Sequence, residues 1–126
     1  MRLKDKRLAI TGAFGSLGAA AVNTALTEGA RVVAIDRIDC DKAPGFEGEV
    51  KIIGNCDLSD AASTQRTVAD GAEAFCCIDG LLIIAGCFTW ETLSEGEIYT
   101  CYAMFTINVL SSVLDFKTEL PRHTNG

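Results

Sequence analysis

The chain has little of what would place it in a membrane, on a nucleic acid or outside the cell. No apolar run approaches the length of a bilayer span, and the first segment, MRLKDKRLAI, is charged without the apolar region of a signal peptide behind it. Basic residues are scarce, because eleven Lys and Arg against seventeen Asp and Glu give a net charge of -6. That charge repels phosphate backbones and anionic lipid. We therefore predict a cytoplasmic protein that binds neither nucleic acid nor membrane.

The sequence also lacks the usual metal-binding patterns. It has a single histidine, His123, in a polar tail, and none of its six cysteines forms a C-x-x-C pair. These spacings predict no metal site. The adjacent Cys76 and Cys77 allow a redox interpretation, but isolated cysteines in such a chain are more often small buried hydrophobic residues. We favour burial.

The two prolines leave room for regular structure, and the composition is that of an ordinary globular protein. It is 48% hydrophobic and 22% charged. Its length matches one domain, which we expect to cover residues 1–126, and there are no internal repeats. A mean hydropathy of +0.24 is high for so small a chain and indicates that some apolar surface stays uncovered.

Short apolar runs alternate with helical patterns along the sequence. We predict strands at 7–11, 31–36, 50–54 and 80–86, helices at 16–28, 60–75 and from about 104 to 120, and a loop at 38–49. The unbroken apolar run at 80–86 is typical of a parallel strand covered by helices on both faces. This alternation predicts an α/β fold, a Rossmann-type doubly wound parallel sheet with right-handed crossovers.

Three glycines at regular spacing follow the first predicted strand, in AITGAFGSLGAA (9–20). Gly12 permits a tight bend, Gly15 lets a ligand approach the backbone, and Gly18 lets the helix pack closely on the sheet. The N–H groups at the helix start then point at an anion, and the partial positive charge there favours a pyrophosphate. The loop therefore predicts a dinucleotide site, with an ordinary structural turn as the alternative. Its candidate cofactor-binding residues are Gly12, Phe14, Gly15, Ser16, Leu17 and Gly18.

Asp36 ends the second predicted strand, where an acid can accept hydrogen bonds from an adenosine ribose. Its carboxylate would repel a 2′-phosphate, which favours NAD over NADP. Arg37 beside it could turn toward such a phosphate, so NADP stays the second choice. The alternative for Asp36 is a solvated acid at a strand end.

Several motifs together resemble those of the short-chain dehydrogenase/reductases, over nearly the whole chain. TGAFGSLG resembles the family's cofactor loop, CDLS its adenine-binding segment, IIAG its fourth-strand motif, and INV the helix that carries a catalytic Asn. The resemblance implies that Asp57 accepts from the adenine amino group and that Leu58 packs on the ring. It also implies that Ala85 and Gly86 pass close to the adenosine ribose. Asn108 would be a supporting catalytic residue, or else a polar helix residue satisfied within the fold.

The sequence departs from the family pattern in places that matter for activity. Ser16 stands where the classical loop has its second glycine, and Ile83 replaces an Asn, although the segment from Asn108 to ELP looks classical. Neither Tyr99 nor Tyr102 has a Lys four positions later, so the family's Tyr-x-x-x-Lys pair is missing, as is its catalytic Ser. We expect the NAD-binding N-terminal portion of an oxidoreductase for an unidentified alcohol or ketone, truncated after the fourth strand and its helix and inactive alone.

Two other interpretations stay open: a stand-alone nucleotide-binding or interaction module without catalysis, and a subunit whose sheet is completed by a second chain. Without a fifth strand, segment 80–86 becomes a sheet edge and the last helix loses cover. We therefore expect a homo-oligomer or a complementing chain. We also expect Gly12→Val to abolish nucleotide binding while the fold largely survives.

Overall fold

A four-stranded parallel sheet forms the centre of the computed structural model, which describes residues 1–75, 77–87 and 90–119. The strands are β1 (Arg7–Thr11), β2 (Arg31–Ile35), β3 (Val50–Ile53) and β4 (Gly80–Ile83), in spatial order β3-β2-β1-β4. The helices are α1 (Ser16–Thr27), α2 (Ala61–Phe75), α3 (Ile98–Phe105) and α4 (Ser111–Glu119). A π-helical segment, Thr106–Leu110, joins the last two, and a 3-10 turn, Cys40–Lys42, lies in the predicted loop. The predicted α/β architecture is confirmed.

The two central strands are buried and the two outer strands are not. β1 and β2 are fully buried after their first residue, whereas β3 and β4 are mostly half-exposed. In β4, Leu82 is 37% exposed. The prediction that this strand is covered on both faces is therefore wrong for the described residues. Its predicted place at a sheet edge is confirmed, because β4 pairs with β1 on one side and ends the strand order.

The core lies in two layers, one on each face of the sheet, because successive strand residues point to opposite faces. On one face Leu8 and Ile10 pack with the α1 residues Val22 and Ala25. On the other, Ala9, Val33 and Ile35 pack with Phe75 at the end of α2. This is the double winding that the alternating pattern predicts. No helix in the described ranges is both long and apolar enough to cross a bilayer.

The last helical region starts earlier than predicted and is interrupted. It begins at Ile98 rather than near residue 104, and its path includes the π-helical segment. Leu120 and Pro121, where the prediction ended it, lie outside the described residues. The helical spacing of the apolar residues carried no signal for this wider turn.

The apolar stripe of this region faces away from the sheet. Ser111 and Asp115 are 4% and 2% exposed, whereas the apolar residues that the helical spacing singled out are 43% to 51% exposed. We call this apolar surface the outer face, and it consists of Phe105, Val109, Val113 and Phe116. The expectation of uncovered apolar surface is met here.

The burial predicted for the cysteines holds for one of those described. Cys56 is buried and Cys77 half-buried, but Cys40, Cys87 and Cys101 are exposed. Those three lie in a turn, in the segment after β4 and on α3, so none of them points from a central strand into the core. Cys76, the other half of the proposed redox pair, lies outside the described residues.

Candidate functional site

A cleft of about 590 Å³ lies at the carboxyl edge of the sheet. In open α/β sheets ligands bind at this edge, at the point where the strand order reverses, which is here between β1 and β4. All the predicted cofactor-binding residues line the cleft except Phe14. The residues that the sequence pattern predicted come from four separate segments of the chain, and the fold brings them together in one cleft.

Two of the loop glycines are required by the fold itself. Gly12 has a φ of +65°, and a Cβ placed on it would lie 2.7 Å from the backbone nitrogen of Ala85. A Cβ on Gly18 would overlap the carbonyl oxygen of Gly12. The close approach of Gly18 is thus to the loop rather than to the sheet. The expectation that Gly12→Val leaves the fold intact is wrong, because the larger side chain meets backbone that cannot move aside.

Gly15 differs from these two glycines. Its φ is -77°, and a Cβ there would have nothing nearer than the Gly12 carbonyl oxygen at 3.7 Å, an ordinary van der Waals distance. Neither strain nor crowding within the described residues therefore requires a glycine at this position. Gly15 lines the cleft, so a side chain there would enter the space that a ligand would occupy.

Helix α1 presents its N-terminus to this cleft without a side-chain cap. Its N-cap residue is Gly15, which has no side chain to accept a hydrogen bond. The first-turn N–H groups of an α-helix have no partner within the helix, and they carry its partial positive charge. Here these groups belong to Ser16, Leu17 and Gly18, all of which line the cleft. The arrangement suits an anion.

Asp36 holds the glycine loop against the end of β2. Its Oδ2 accepts a hydrogen bond from the Phe14 N–H at 2.9 Å, and its Oδ1 accepts one from the Ile38 N–H at 3.1 Å. The residue is only 9% exposed, yet it lines the cleft. Each carboxylate oxygen has a second lone pair, so Asp36 can still accept from a ligand hydroxyl. This loop-anchoring role was not apparent from the sequence.

Phe14, the one predicted residue outside the cleft, packs its half-buried side chain against the core on the α1 face. Its backbone N–H contributes to the site by donating a hydrogen bond to Asp36. Leu58 is also largely a core residue, at 8% exposure, although one side of it forms the floor of the cleft.

The segment after β3 adds a second carboxylate. Asp57 is exposed, and hydrogen bonds from the Ser59 hydroxyl and the Ser59 N–H to its Oδ1 lower the pKa of this carboxyl below its usual value. The exposed guanidinium of Arg37 lowers that pKa slightly further. Asp57 is therefore ionised at neutral pH. We call the cleft residues Asp36, Arg37, Asp57 and Ser59 the polar wall.

The opposite side of the cleft is apolar, and three of its backbone donors are already used. The N–H groups of Ile84 and Ala85 both donate to the Thr11 hydroxyl at 3.2 Å. The N–H of Cys87 donates to Asn108 Oδ1 at 3.0 Å. We call this side the apolar wall, and its residues are Ile84, Ala85, Gly86, Cys87 and Ile107.

Asn108 fastens the apolar wall from behind and does not itself line the cleft. It sits in the π-helical segment, and its amide nitrogen donates to the carbonyl oxygens of Cys87 and Met104, each at 2.9 Å. A Cβ on Gly86 would lie 2.6 Å from Asn108 Oδ1, so the glycine allows this close approach. The geometry matches the alternative of a satisfied polar residue, and the catalytic role of Asn108 stays a prediction.

Several cleft residues were missed from the sequence. Most of these are direct neighbours of predicted residues in the IIAG and CDLS segments, so those motifs were the available signal. Ile107 likewise belongs to the INV motif, next to Asn108. Ser111 had no such signal, because its position depends on how the last helical region docks on the sheet. Cys56, beneath the polar wall, accepts a hydrogen bond from Thr67 at 2.8 Å, and burial raises the pKa of its thiol.

Comparison with known proteins gives a consistent result. A family profile described as short chain dehydrogenase matches residues 6–125. The chain is 29% identical to cis-2,3-dihydrobiphenyl-2,3-diol dehydrogenase of Rhodococcus globerulus over 127 residues, which cover 95% of this chain and 45% of that protein.

Two solved structures share the fold. A short-chain dehydrogenase/reductase from Serratia marcescens matches with a TM-score of 0.89 and 25% identity, over 98% of this chain and 53% of that one. An NADH-dependent reductase complexed with NAD matches with a TM-score of 0.83 and 25% identity, over 95% and 52%. The chain spans about half the length of the relatives it matches.

The profile match extends over almost every residue, including the sheet, the glycine loop and the helix that carries Asn108. Its relatives add about as much chain again. The chain therefore belongs to the short-chain dehydrogenase family.

Proposed function

We propose that this chain binds NAD in the cleft at the carboxyl edge of its sheet. In the complete enzyme it would serve an oxidoreductase that acts on a small alcohol or ketone. One observation carries the proposal: the uncapped N-terminus of α1 and the Asp36 carboxylate line the same cleft. The first suits a pyrophosphate and the second a ribose diol. The relative solved with NAD supports the choice of ligand.

The pyrophosphate, the adenosine ribose and the adenine each have a matching group. The N–H groups of Ser16, Leu17 and Gly18 would hold the pyrophosphate, and Asp36 would accept from the adenosine ribose. Asp57, kept ionised by Ser59, would accept from the adenine amino group. The bound nicotinamide would supply hydride acceptance.

Asp36 also supports NAD rather than NADP. A 2′-phosphate would lie against a carboxylate that is already held in place by two backbone N–H groups. Rotating Asp36 away would leave those two N–H groups without their acceptor, which costs free energy. Arg37 is exposed beside Asp36 and could turn toward a 2′-phosphate, so we propose that NADP also binds, but more weakly than NAD.

Hydride transfer is proposed only for the complete enzyme. The sequence holds no Tyr-x-x-x-Lys pair to exchange a proton with a substrate. We therefore propose that the 126-residue chain binds nucleotide without turnover. The relatives' names point to diol substrates for some family members, but no described residue of this chain selects among alcohols or ketones.

Gly15 offers the sharpest test of the binding site. A Cβ at this position has nothing nearer than 3.7 Å, and because Gly15 lines the cleft, a larger side chain there would take up space that a ligand needs. We expect Gly15→Val to lower NAD affinity by about tenfold or more, because the side chain would displace the pyrophosphate from the helix N-terminus. The melting temperature should fall only modestly, because valine is a poorer N-cap residue than glycine.

The matched control is Gly45→Val. Gly45 has no positive φ, and a Cβ there would have nothing within 4 Å, but it lies outside the cleft. Titration calorimetry on both variants measures the difference. Normal NAD binding by a folded Gly15→Val protein would remove the glycine loop from the site.

We also propose that the chain self-associates through the outer face, with a complementing chain as the second possibility. Four side chains that are about half exposed form a continuous apolar stripe, and such patches mark contact surfaces. Phe116→Glu should shift sedimentation toward smaller species. Leu93→Glu, at an equally apolar but fully exposed position off this face, should not. If neither variant changes sedimentation, the outer face is not the contact surface.

A further inference from the structure

A second and much smaller cavity lies between the sheet, α2 and α4, next to the cleft, and Leu58 lines both. Its volume is about 10 Å³, close to the space that one water molecule requires. Seven of the eight residues that line it are buried, and the eighth, Leu81, is half-buried. Four of the eight are polar and at most 5% exposed: Thr11, Thr64, Thr67 and Asp115. We call this space the inner cavity.

Thr11 brings a hydrogen-bond donor to the inner cavity. Its hydroxyl oxygen accepts the N–H groups of Ile84 and Ala85, each at 3.2 Å, and these two contacts occupy both of its lone pairs. The O–H is therefore left to donate, and no hydrogen bond of Thr11 within the described part of the chain uses it in that way. Because a buried O–H without an acceptor costs free energy, we expect an acceptor inside the cavity.

The other polar residues of the inner cavity bring acceptors. The Thr64 hydroxyl donates its hydrogen to the Asp60 carbonyl oxygen at 2.9 Å. The Thr67 hydroxyl donates its hydrogen to the Cys56 sulfur at 2.8 Å. Both hydroxyl oxygens keep lone pairs, and the Asp115 carboxylate can accept about four hydrogen bonds. One donor and several acceptors, from β1, α2 and α4, thus border a space of the size of one water molecule.

We infer that the inner cavity binds one structural water molecule, which accepts from the Thr11 hydroxyl and donates to the Asp115 carboxylate and to a threonine hydroxyl of α2. A buried water typically makes about three hydrogen bonds, which these groups provide. The water would join three elements and so help to fix the last helical region on the sheet. A metal ion fits this cavity less well, because Thr11 has no lone pair left to coordinate it. The water site needs no nucleotide and adds to the proposed function.

The first experiment is a crystal structure of the unmodified chain at a resolution that shows ordered water. We expect one peak of density in the inner cavity, about 2.5 to 3.0 Å from an Asp115 carboxylate oxygen and from the Thr11 hydroxyl oxygen. An inner cavity without density would overturn the inference. So would a peak with several oxygen distances below about 2.5 Å, which are typical of a metal ion rather than of a hydrogen-bonded water.

The second experiment counts long-lived internal waters in solution by magnetic relaxation dispersion of water oxygen-17. Asp115→Leu should lower the count by one, because leucine takes up the space and offers no acceptor. Thr118→Val is the matched control, because its hydroxyl lies on the same helix but outside the cavity, where it donates to the Leu114 carbonyl oxygen. It should leave the count unchanged. An equal count in Asp115→Leu and the unmodified chain would contradict the assignment. If Asp115→Leu does not fold, the crystal structure of the unmodified chain still decides.

Discussion

The polar wall and the apolar wall border the same cleft, but they place their hydrogen-bonding groups differently. On the polar wall, Asp36 and Asp57 use part of their capacity on neighbouring N–H groups and direct the rest into the cleft. On the apolar wall, Thr11 and Asn108 stay outside the cleft and pair with the wall's backbone from behind. The polar wall therefore has hydrogen-bonding groups available to a polar ligand, whereas the hydrogen bonds of the apolar wall stabilise its backbone.

From this difference we expect substitutions on the two sides of the cleft to have different effects. A buried or partly buried carboxylate that holds backbone and also faces a ligand has two functions, so its loss should affect both affinity and stability. A residue that supports a wall from outside the cleft has only the structural function, so its loss should affect stability more than affinity. The variants below separate these two kinds of effect.

The largest effect is expected at Asp36. Asp36→Ala removes an acceptor for the ribose, and NAD affinity should fall by roughly 1.5 to 3 kcal/mol, the range for a hydrogen bond to a charged group. NADP should lose less, because the same substitution removes a repelling charge. Titration of both nucleotides against both proteins measures this.

Asp36→Ala also deprives the Phe14 and Ile38 N–H groups of their acceptor, so its melting temperature should fall. Asp36→Asn is the matched control, since its amide oxygen can replace one of those two contacts. Its NAD affinity should lie between those of Asp36→Ala and the unmodified chain. Unchanged NAD affinity in Asp36→Ala would remove this carboxylate from the site.

Asn108→Ala should affect stability rather than ligand choice. The substitution removes the contacts to the Cys87 N–H and carbonyl oxygen, and the free energy of unfolding should fall by about 1 kcal/mol. NAD affinity should change less than stability does, because Asn108 does not line the cleft. Urea unfolding and paired titrations measure the two quantities. A large loss of NAD affinity with unchanged stability would mean that Asn108 contacts the ligand, contrary to its place behind the apolar wall.

A smaller effect is expected at Arg37. Its guanidinium is exposed, and exposed charge pairs contribute roughly 0.2 to 1 kcal/mol. Arg37→Ala should therefore lower NADP affinity by up to about fivefold and leave NAD affinity nearly unchanged. Equal losses for both nucleotides would show that Arg37 contacts a part that they share rather than the 2′-phosphate.

The smallest effect is the pH dependence that Asp57 contributes. Hydrogen bonds from Ser59 lower the pKa of this carboxyl in the folded protein. The stabilisation is present above the unfolded pKa of about 4 and is lost as the pH falls through the lower folded value. Asp57→Asn should therefore lose less stability between about pH 5 and pH 2 than the unmodified chain does. Identical acid unfolding curves would show that the Ser59 contacts do not hold in solution.

Sequence reasoning predicted the sheet and most of the cleft because both depend on local patterns. Apolar runs fix the strands, and glycine spacing fixes the loop that Asp36 closes. It did not predict the second role of Asp36, because the contact with the Phe14 N–H joins residues from two different loops. That contact forms only once β1 and β2 are paired.

The last helical region shows a second limit of prediction from sequence. Its apolar residues have helical spacing, but that spacing does not say whether the stripe faces the sheet or faces outward. The side that packs inward carries Ser111 and Asp115, which a rule of apolar burial would have placed outside. The π-helical turn that positions Asn108 was likewise not predictable from spacing alone.

Hydrogen–deuterium exchange of the full chain with and without saturating NAD tests the central claim most directly, because it reports both walls in one measurement. The account predicts slower exchange at residues 12–18, 36–38 and 56–59, with a smaller change at 84–87, where three of the four N–H groups are already paired. Protection confined to 84–87 and 107–111, or no protection anywhere at a concentration that saturates binding, would contradict it.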